Sequence, residues 1–226
     1  VGINTIKNVA ISVATTGALP RTNEAGLNMN HFWEHSLAVG VIAKLLAENK
    51  GIGKNDQANF FVGGLLHDIG KILFAHFMPV DYQQVLQKSD SEEIPLHVAE
   101  KALLGFDHSE IGAMIAEKWQ LPTDLIESIR NHHGSDTEKQ SELSLAIYAA
   151  NQVAHYLALI KQAAESDDAS SSSSNALLLA AQVNDELPKS VQAWLGWPLS
   201  DVSKWLSNLD DEIDKALAFI DLSDGE

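Results

Sequence analysis

Seven polar side chains in this chain of 226 residues have the types and spacing of a metal centre. They are His35, His67, Asp68, His108, His132, His133 and Asn151. A neutral imidazole binds a metal through one ring nitrogen, and a carboxylate has two oxygens that can bridge two cations. His67 and Asp68 are adjacent and follow an apolar run. Burying such a pair is costly without a partner, and a metal ion is an effective one.

The elements that must position these side chains are helices. Apolar residues recur at helical spacing along most of the chain, and no alternating strand pattern of useful length is present. We therefore predict an all-α fold, a multi-helix bundle in which separate helices can aim side chains at one interior point. The predicted helices cover 1–15, 29–48, 55–68, a segment opened by Pro79, 95–104, 108–119, 121–133, 142–160, 175–183, 187–195 and a last one capped by Ser200.

Two local signals bear directly on the donors. Gly63 and Gly64 lie inside a predicted helix, where each costs about 1 kcal/mol relative to alanine, so we expect another backbone to approach closely there. Asp107 and Glu110 form a capping-box pattern, which places His108 at the first position of a helix.

Composition excludes several classes of function. The net charge of −16 argues against a nucleic-acid backbone or an anionic membrane as the main partner. Cysteine is absent, which excludes disulfides, thiolate metal sites and a cysteine nucleophile. No uninterrupted apolar run is long enough for a membrane span, so we expect a cytoplasmic protein. The chain starts at Val1 rather than at methionine, so we expect it to be cut from a longer protein, and removal of a preceding segment would leave an apolar face for a partner or a second copy.

Five motifs, taken in order, resemble the HDOD family, a bacterial branch of the HD metal-dependent phosphohydrolase superfamily. They are Trp33-Glu34-His35-Ser36, Gly64-Leu65-Leu66-His67-Asp68-Ile69-Gly70, Gly105-Phe106-Asp107-His108, Trp119-Gln120-Leu121-Pro122 and His132-His133. The resemblance implies an HD-type helix bundle over 1–164. Residues 165–175 are then an acidic, serine-rich linker or loop, and 176–226 are C-terminal helices that pack on the domain.

The resemblance also implies roles for individual residues. The first metal ligand of the superfamily matches His35, and its His-Asp pair matches His67 and Asp68. The HD-GYP phosphodiesterases, which hold a second metal, have additional histidines that match His108, His132 and His133, and the last superfamily aspartate falls at Asn151. Lys71 matches a lysine that approaches the substrate phosphate, so Lys71 and Asp68 are the expected catalytic residues of an active enzyme.

Two departures from the family pattern affect the expected function. Asn151 has an oxygen donor without the charge of aspartate, and the chain after His133 continues Gly134-Ser135-Asp136, without Gly-Tyr-Pro. A nitrogen-rich set of donors with one carboxylate suits iron, manganese, zinc or nickel, as one or two ions if any are held. We therefore favour a regulatory signalling module, whose partner is a signalling protein or a second copy of the chain. The alternative is a metal-dependent phosphohydrolase that acts on a nucleotide, a cyclic dinucleotide or another small phosphate compound.

Structural explanations exist for the same residues. His67 and Asp68 can form a simple hydrogen-bonded pair. His108 can be only the first residue of its helix, and His132 with His133 can complement a helix dipole. Lys71 can be a solvated charge, and Asn151 can bond to neighbouring groups. His31, four residues before His35, can be an additional ligand, but we favour a residue that surrounds the ligands or is exposed. His76, His97 and His155 have no matching partners and are interpreted as surface or packing residues.

Overall fold

The computed structural model describes residues 23–134, 140–165 and 187–196, with the side chains of 160–165 outside that description. These ranges contain nine helices and no strand, which confirms the all-α prediction for the described part of the chain. The helices are α1 (Met29–Asn49), α2 (Lys54–Leu66), α3 (Ile69–Phe77), α4 (Pro79–Glu92), α5 (Leu96–Leu104), α6 (His108–Lys118), α7 (Thr123–Arg130), α8 (Glu142–Glu165) and α9 (Lys189–Leu195). The helices predicted for 1–15, for 175–183 and after Ser200 lie outside these ranges, as does the predicted linker beyond Glu165.

The main hydrophobic core forms where α1 packs against α2 and α8. Leu46 of α1, Leu66 of α2 and Ile147 of α8 are each at most 1% exposed. A smaller cluster joins α3, α4 and α5 through Phe74, Tyr82 and Ala99. A third cluster joins α1 to α3, and its members are Met29, Phe32, Ile69 and Ile72. The start of α3 is therefore held by apolar packing against α1.

Gly64 allows α1 and α2 to touch along their backbones. A Cβ atom at Gly64 would lie 2.5 Å from both the Cα and the backbone nitrogen of Gly40, a distance at which real Cβ atoms are essentially never found. This confirms the expected close approach for Gly64. Gly63 differs, because its nearest neighbours are side-chain atoms of Ile147 and Leu125 at 3.2 and 3.3 Å.

Gly70 produces a second close approach, between the start of α3 and the start of α6. A Cβ atom there would lie 2.0 Å from the backbone oxygen of His108. Asp68 and His108, which are distant in sequence, are therefore held near each other by backbone contact. The predicted capping box supports the same region, because the Asp107 side chain accepts from the backbone of α6 and Glu110 accepts from the N–H of Asp107.

Three predicted boundaries are wrong. Helix α2 begins at Lys54 after the N-cap Gly53, so Asn55 lies inside its first turn rather than capping it. The helix does not run through Asp68: α2 ends at Leu66, and Asp68 is the residue before α3. Helix α7 ends at Arg130, which places His132 and His133 in the turn beyond it.

One helical stretch of the described residues, Lys54–Phe77, is long and apolar enough to cross a membrane by length and composition alone, with a mean hydropathy of 1.3 over its most apolar window. Its most apolar window is 72% buried inside the protein, which is the behaviour of core helices. The stretch also contains the break at His67 and Asp68, where α2 gives way to α3. Its apolar composition is accounted for by packing within the domain.

Candidate metal centre

Asp68 lies at the centre of a ring of imidazoles. Its carboxylate is 2% exposed, and its Oδ1 atom lies 3.1 Å from His108 Nε2 and 3.4 Å from His132 Nε2. The other oxygen, Oδ2, lies 3.3 Å from His67 Nε2 and 3.8 Å from His35 Nε2. The convergence expected from the sequence is therefore present, and it is built from α1, the α2–α3 junction, the first residue of α6 and the turn after α7.

The donors divide into two groups that share Asp68. The four-donor group consists of Asp68, His108, His132 and His133, and the three-donor group consists of His35, His67 and Asp68. Within each group, one ligand atom from every residue lies within 4.8 Å of all the others. Two cations held by these groups would be bridged by one carboxylate.

The ring orientation of two histidines is fixed by backbone carbonyls. His67 Nδ1 lies 2.6 Å from the carbonyl oxygen of Gly64, and His132 Nδ1 lies 2.6 Å from that of Ile129. Because a carbonyl oxygen only accepts, Nδ1 must be the donor in both rings. The Nε2 lone pairs of the neutral rings therefore face Asp68 and are available to a metal ion.

The third ring, His108, is oriented by a buried carboxylate. Glu100 Oε2 accepts from His108 Nδ1 at 2.6 Å and from the His108 backbone N–H at 2.8 Å. The other oxygen of Glu100 accepts from the Tyr82 hydroxyl at 3.0 Å, and burial together with Glu100 raises the pKa of Tyr82 well above its usual value. Nε2 of His108 then faces the Nε2 atoms of His133 and His132 at 2.7 and 3.3 Å. Ring nitrogens at such distances need a proton or a cation between them, because facing lone pairs repel.

Unpaired buried atoms test whether the donors fit a metal ion. Among the described residues, His35 Nε2, His67 Nε2, Asp68 Oδ1 and Asn151 Oδ1 are buried without a hydrogen-bond partner. Such an atom costs about 1–3 kcal/mol in a protein interior. A bound cation would supply the missing partner for atoms in both donor groups, so the donor set fits a metal ion.

Lys71 is paired with the same carboxylate. Its Nζ atom lies 2.6 Å from Asp68 Oδ2, and its side chain is 17% exposed. The sequence analysis interpreted Lys71 either as a solvated charge or as a phosphate contact. Neither interpretation included an ion pair with Asp68. The Lys71 side chain lies one turn beyond His67 and is largely buried. Its ammonium group neutralises the charge of Asp68 on the side that faces the three-donor group.

The electrostatics keep most of the donors in their ligating forms. Burial alone would raise the pKa of Asp68, but His67 and Lys71 lower it well below its usual value. Burial and the nearby His67 lower the pKa of His35 to about 2. Burial also lowers the pKa of His132 to about 4. Burial and Lys71 act to lower the pKa of His108, but Glu100 and Asp68 outweigh them, so it is raised. A proton on His108 is then the natural substitute for a cation beside Asp68.

The low pKa of His132 predicts acid sensitivity of the metal-free protein. His132 is neutral in the folded state at pH 5, with a pKa of about 4, whereas an unfolded chain takes up a proton near pH 6.5. The unfolded state thus binds more protons between those values, and stability falls with falling pH, by about 2 kcal/mol at pH 5 from this one residue. Urea unfolding in the presence of a chelator at pH 7, 6 and 5 measures this. In a His132→Gln variant this part of the pH dependence should vanish, and equal slopes in the two proteins would contradict the assignment.

Three residues near the donors were not identified as such from the sequence. His97 and His155 were interpreted as surface or packing residues without partners. His155 is indeed exposed, but the absence of partners is wrong for both residues. The His97 ring stacks on His133 at 4.0 Å, and the His155 ring lies 4.6 Å from that of His35. Glu100 was overlooked, although a charged residue between Leu96 and Leu104 on the apolar face of α5 was a usable signal. His31 and His76 are exposed, and neither belongs to a donor group among the described residues.

Asn151 lies on the helix that borders the three-donor group. It is 2% exposed, and it precedes His155 by one turn of α8. Because residues four apart share a helix face, the contact between the His155 and His35 rings places this face of α8 beside His35. The amide oxygen of Asn151 is buried without a hydrogen-bond partner among the described residues, and its role as an oxygen ligand stays a prediction.

Comparisons with known proteins find curated sequences that are similar to part of this chain. It is 28% identical over 159 residues to Ribonuclease Y from Mycoplasma mycoides, an alignment that covers 68% of the chain and 30% of that protein. The chain spans about a third or less of the length of the curated relatives that it matches.

Two solved structures share the fold. A presumed phosphohydrolase from Shewanella amazonensis has a TM-score of 0.67 at 24% identity, covering 94% of this chain and 71% of that one. A presumed signal-transduction protein from Marinobacter aquaeolei has a TM-score of 0.68 at 19% identity, covering 99% of this chain and 46% of that one.

The family model of the HDOD domain matches residues 1–135, which is more than half of the chain and includes all the histidines and the aspartate of the two donor groups. The observed helices, and the order in which the donors follow one another along them, agree with that match. This chain belongs to the HDOD domain family.

Proposed function

We propose that this chain is a cytoplasmic regulatory module of a bacterial signalling protein that holds one or two transition-metal ions around Asp68. The observation that carries the proposal is the convergence of five imidazoles around one buried carboxylate. Among the described residues, His35 Nε2, His67 Nε2 and Asp68 Oδ1 are buried there without a hydrogen-bond partner. Because the donors are mostly nitrogen and the charge is low, iron, manganese, zinc and nickel are favoured over magnesium and calcium. The likeness to the presumed signal-transduction protein from Marinobacter aquaeolei supports a signalling role.

A second function is favoured by one specific observation, the position of Lys71. A metal ion bound here would lower the pKa of a bound water towards neutrality and so supply a nucleophile for phosphate esters. Asp68 would hold both metal positions with its two oxygens, and the Lys71 ammonium, released from Asp68, would pair with the substrate phosphate. The site would then be that of a metal-dependent phosphohydrolase.

Charge limits the substrates of such an enzyme. Ribonuclease Y acts on RNA by its name, but the net charge of −16 opposes contact with a long phosphate backbone. We therefore propose a small phosphate compound, such as a nucleotide or cyclic dinucleotide, rather than a nucleic acid. In the signalling role, the partner is a second protein or another copy of this chain.

Metal analysis combined with a turnover assay distinguishes the two functions. Protein purified without chelator is analysed for bound metal and then assayed on bis(p-nitrophenyl) phosphate. Bound metal without turnover supports the regulatory module, and turnover that disappears in His67→Ala supports the hydrolase. The matched control is His76→Ala, which removes an exposed histidine outside both groups. Protein free of metal that also fails to bind added zinc or manganese would overturn the metal centre in both cases.

Replacing Asn151 with aspartate should tighten metal binding. The change adds a negative charge to a buried position beside His35, where the amide oxygen has no hydrogen-bond partner among the described residues. We expect roughly tenfold higher affinity, in line with the effect of polar groups around metal ligands. Competition against a fluorescent zinc chelator measures it. Gln152→Glu, on the next residue of α8, controls for added charge alone, and an unchanged affinity in Asn151→Asp would place this side chain outside the centre.

A further inference from the structure

The two donor groups around Asp68 have different electrostatic surroundings. Behind the four-donor group lies Glu100, which is 0% exposed and has contacts to both of its oxygens. One oxygen accepts from the His108 ring at 2.6 Å and from the His108 backbone at 2.8 Å, and the other accepts from Tyr82 at 3.0 Å. The donors fix this carboxylate in place, so its negative charge acts on the metal position through the His108 ring.

The matching positions of two other rings, His67 and His132, lack such a charge. The Nδ1 atoms of His67 and His132 both face neutral backbone carbonyls at 2.6 Å. A carboxylate behind a ligating imidazole increases the basicity of the ring and fixes the nitrogen that binds metal, and its loss typically lowers affinity by about 10- to 100-fold. Within the described residues, Glu100 therefore distinguishes the four-donor group from the three-donor group.

Lys71 acts in the opposite direction on the other side. Its ammonium lies 2.6 Å from Asp68 Oδ2, the oxygen that faces His35 and His67. A divalent cation that enters the three-donor group must displace this positive charge or share the oxygen with it. Among the described residues, no ammonium group competes for the Oδ1 atom, which faces His108 and His132.

We propose that the two metal positions are unequal, and that the group of Asp68, His108, His132 and His133 binds metal first and more tightly than the group of His35, His67 and Asp68. On one side are three imidazoles, of which His108 is backed by Glu100, while on the other are two imidazoles and a competing ammonium. Glu100 is then a positioning residue for His108, and Lys71 keeps the weaker position empty at low metal concentration. The inference rests on the proposed function only in assuming that the centre binds metal.

Zinc titration of the metal-free protein by calorimetry tests the order. We expect a tight first event and a weaker second event. Glu100→Gln should weaken the first event about tenfold or more and leave the second unchanged. Lys71→Gln should strengthen the second event several-fold and leave the first unchanged. Tyr82→Phe, which removes one hydrogen bond but retains the carboxylate, is the matched control and should change the first event less than Glu100→Gln.

A second measurement does not depend on bound metal. Nitrogen-15 NMR of the imidazoles in the chelated protein should show Nδ1 of His108 fully protonated, and Glu100→Gln should leave a proton on Nδ1 in only part of the molecules. Two equal zinc events, or a Glu100→Gln variant that weakens only the second event, would overturn the order of filling. Should Glu100→Gln fail to fold, the Lys71→Gln titration still decides, since an unchanged second event contradicts the inference. Absence of any zinc event in the wild-type protein would overturn the proposed function instead.

Discussion

Replacing Asp68 with asparagine is expected to remove most of the bound metal from both positions at once. The carboxylate is shared by the two donor groups, and its oxygens lie within 3.8 Å of four imidazole Nε2 atoms. Asparagine keeps the shape but loses the only negative charge among the predicted ligands, and Lys71 also loses its partner. We expect metal affinity to fall at least about 100-fold, beyond the range seen for groups that only support a ligand.

Elemental analysis and zinc competition measure this loss on the purified variant. Asp81→Asn is the matched control, because Asp81 is exposed in the first turn of α4 and belongs to neither donor group. Circular dichroism of both variants separates a loss of metal from a loss of fold. Wild-type metal content in folded Asp68→Asn protein would show that Asp68 is not the shared ligand.

Gly70→Ala is expected to be the most destabilising single methyl addition in the described part of the chain. The new Cβ would lie 2.0 Å from the backbone oxygen of His108, the shortest such contact of any described glycine. Because the obstacle is backbone rather than a flexible side chain, α3 and α6 must separate. We expect a loss of at least about 3 kcal/mol in the free energy of unfolding, at the upper end of the range for overpacked cores.

Urea denaturation of the chelated protein gives this value, and zinc affinity reports the accompanying shift of His108 away from Asp68. Gly53→Ala is a suitable comparison, because its Cβ would have only the Asp56 side chain nearby, at 3.8 Å, and its φ of −60° suits alanine. That change should alter stability by no more than about 0.5 kcal/mol. Equal unfolding midpoints for Gly70→Ala and Gly53→Ala would contradict the account.

The helices and their donors could be predicted because the signals are local or belong to the family pattern. The capping box of Asp107 and Glu110 depends only on neighbouring residues, so the sequence correctly placed His108 at the first position of α6. The break at Asp68 could not be found in the same way. Both α2 and α3 are apolar on either side of it, so helical periodicity continues through the junction.

Tertiary contacts bring His97, His155 and Glu100 against the donors. The spacing of apolar residues along the sequence does not indicate such contacts. Nothing in the spacing of His97 shows that α5 brings it against His133, or that α8 brings His155 against His35. Glu100 was easier to identify from the sequence, because a carboxylate on an apolar helix face requires a buried hydrogen-bond donor. Its donors, Tyr82 and His108, come from two other helices, and only the fold shows that they meet.

The backbone contact between Gly40 and Gly64 limits how this centre can diversify. A Cβ atom at Gly64 would lie 2.5 Å from backbone atoms of Gly40, so the backbones of α1 and α2 touch at this point. Neither helix can shift along the other without a clash. The packing of α1 against α2 therefore fixes the distance between His35 and His67. Exchanging donors on these rigid helices would change the metal preference, whereas a larger or smaller coordination sphere would require a different helix crossing.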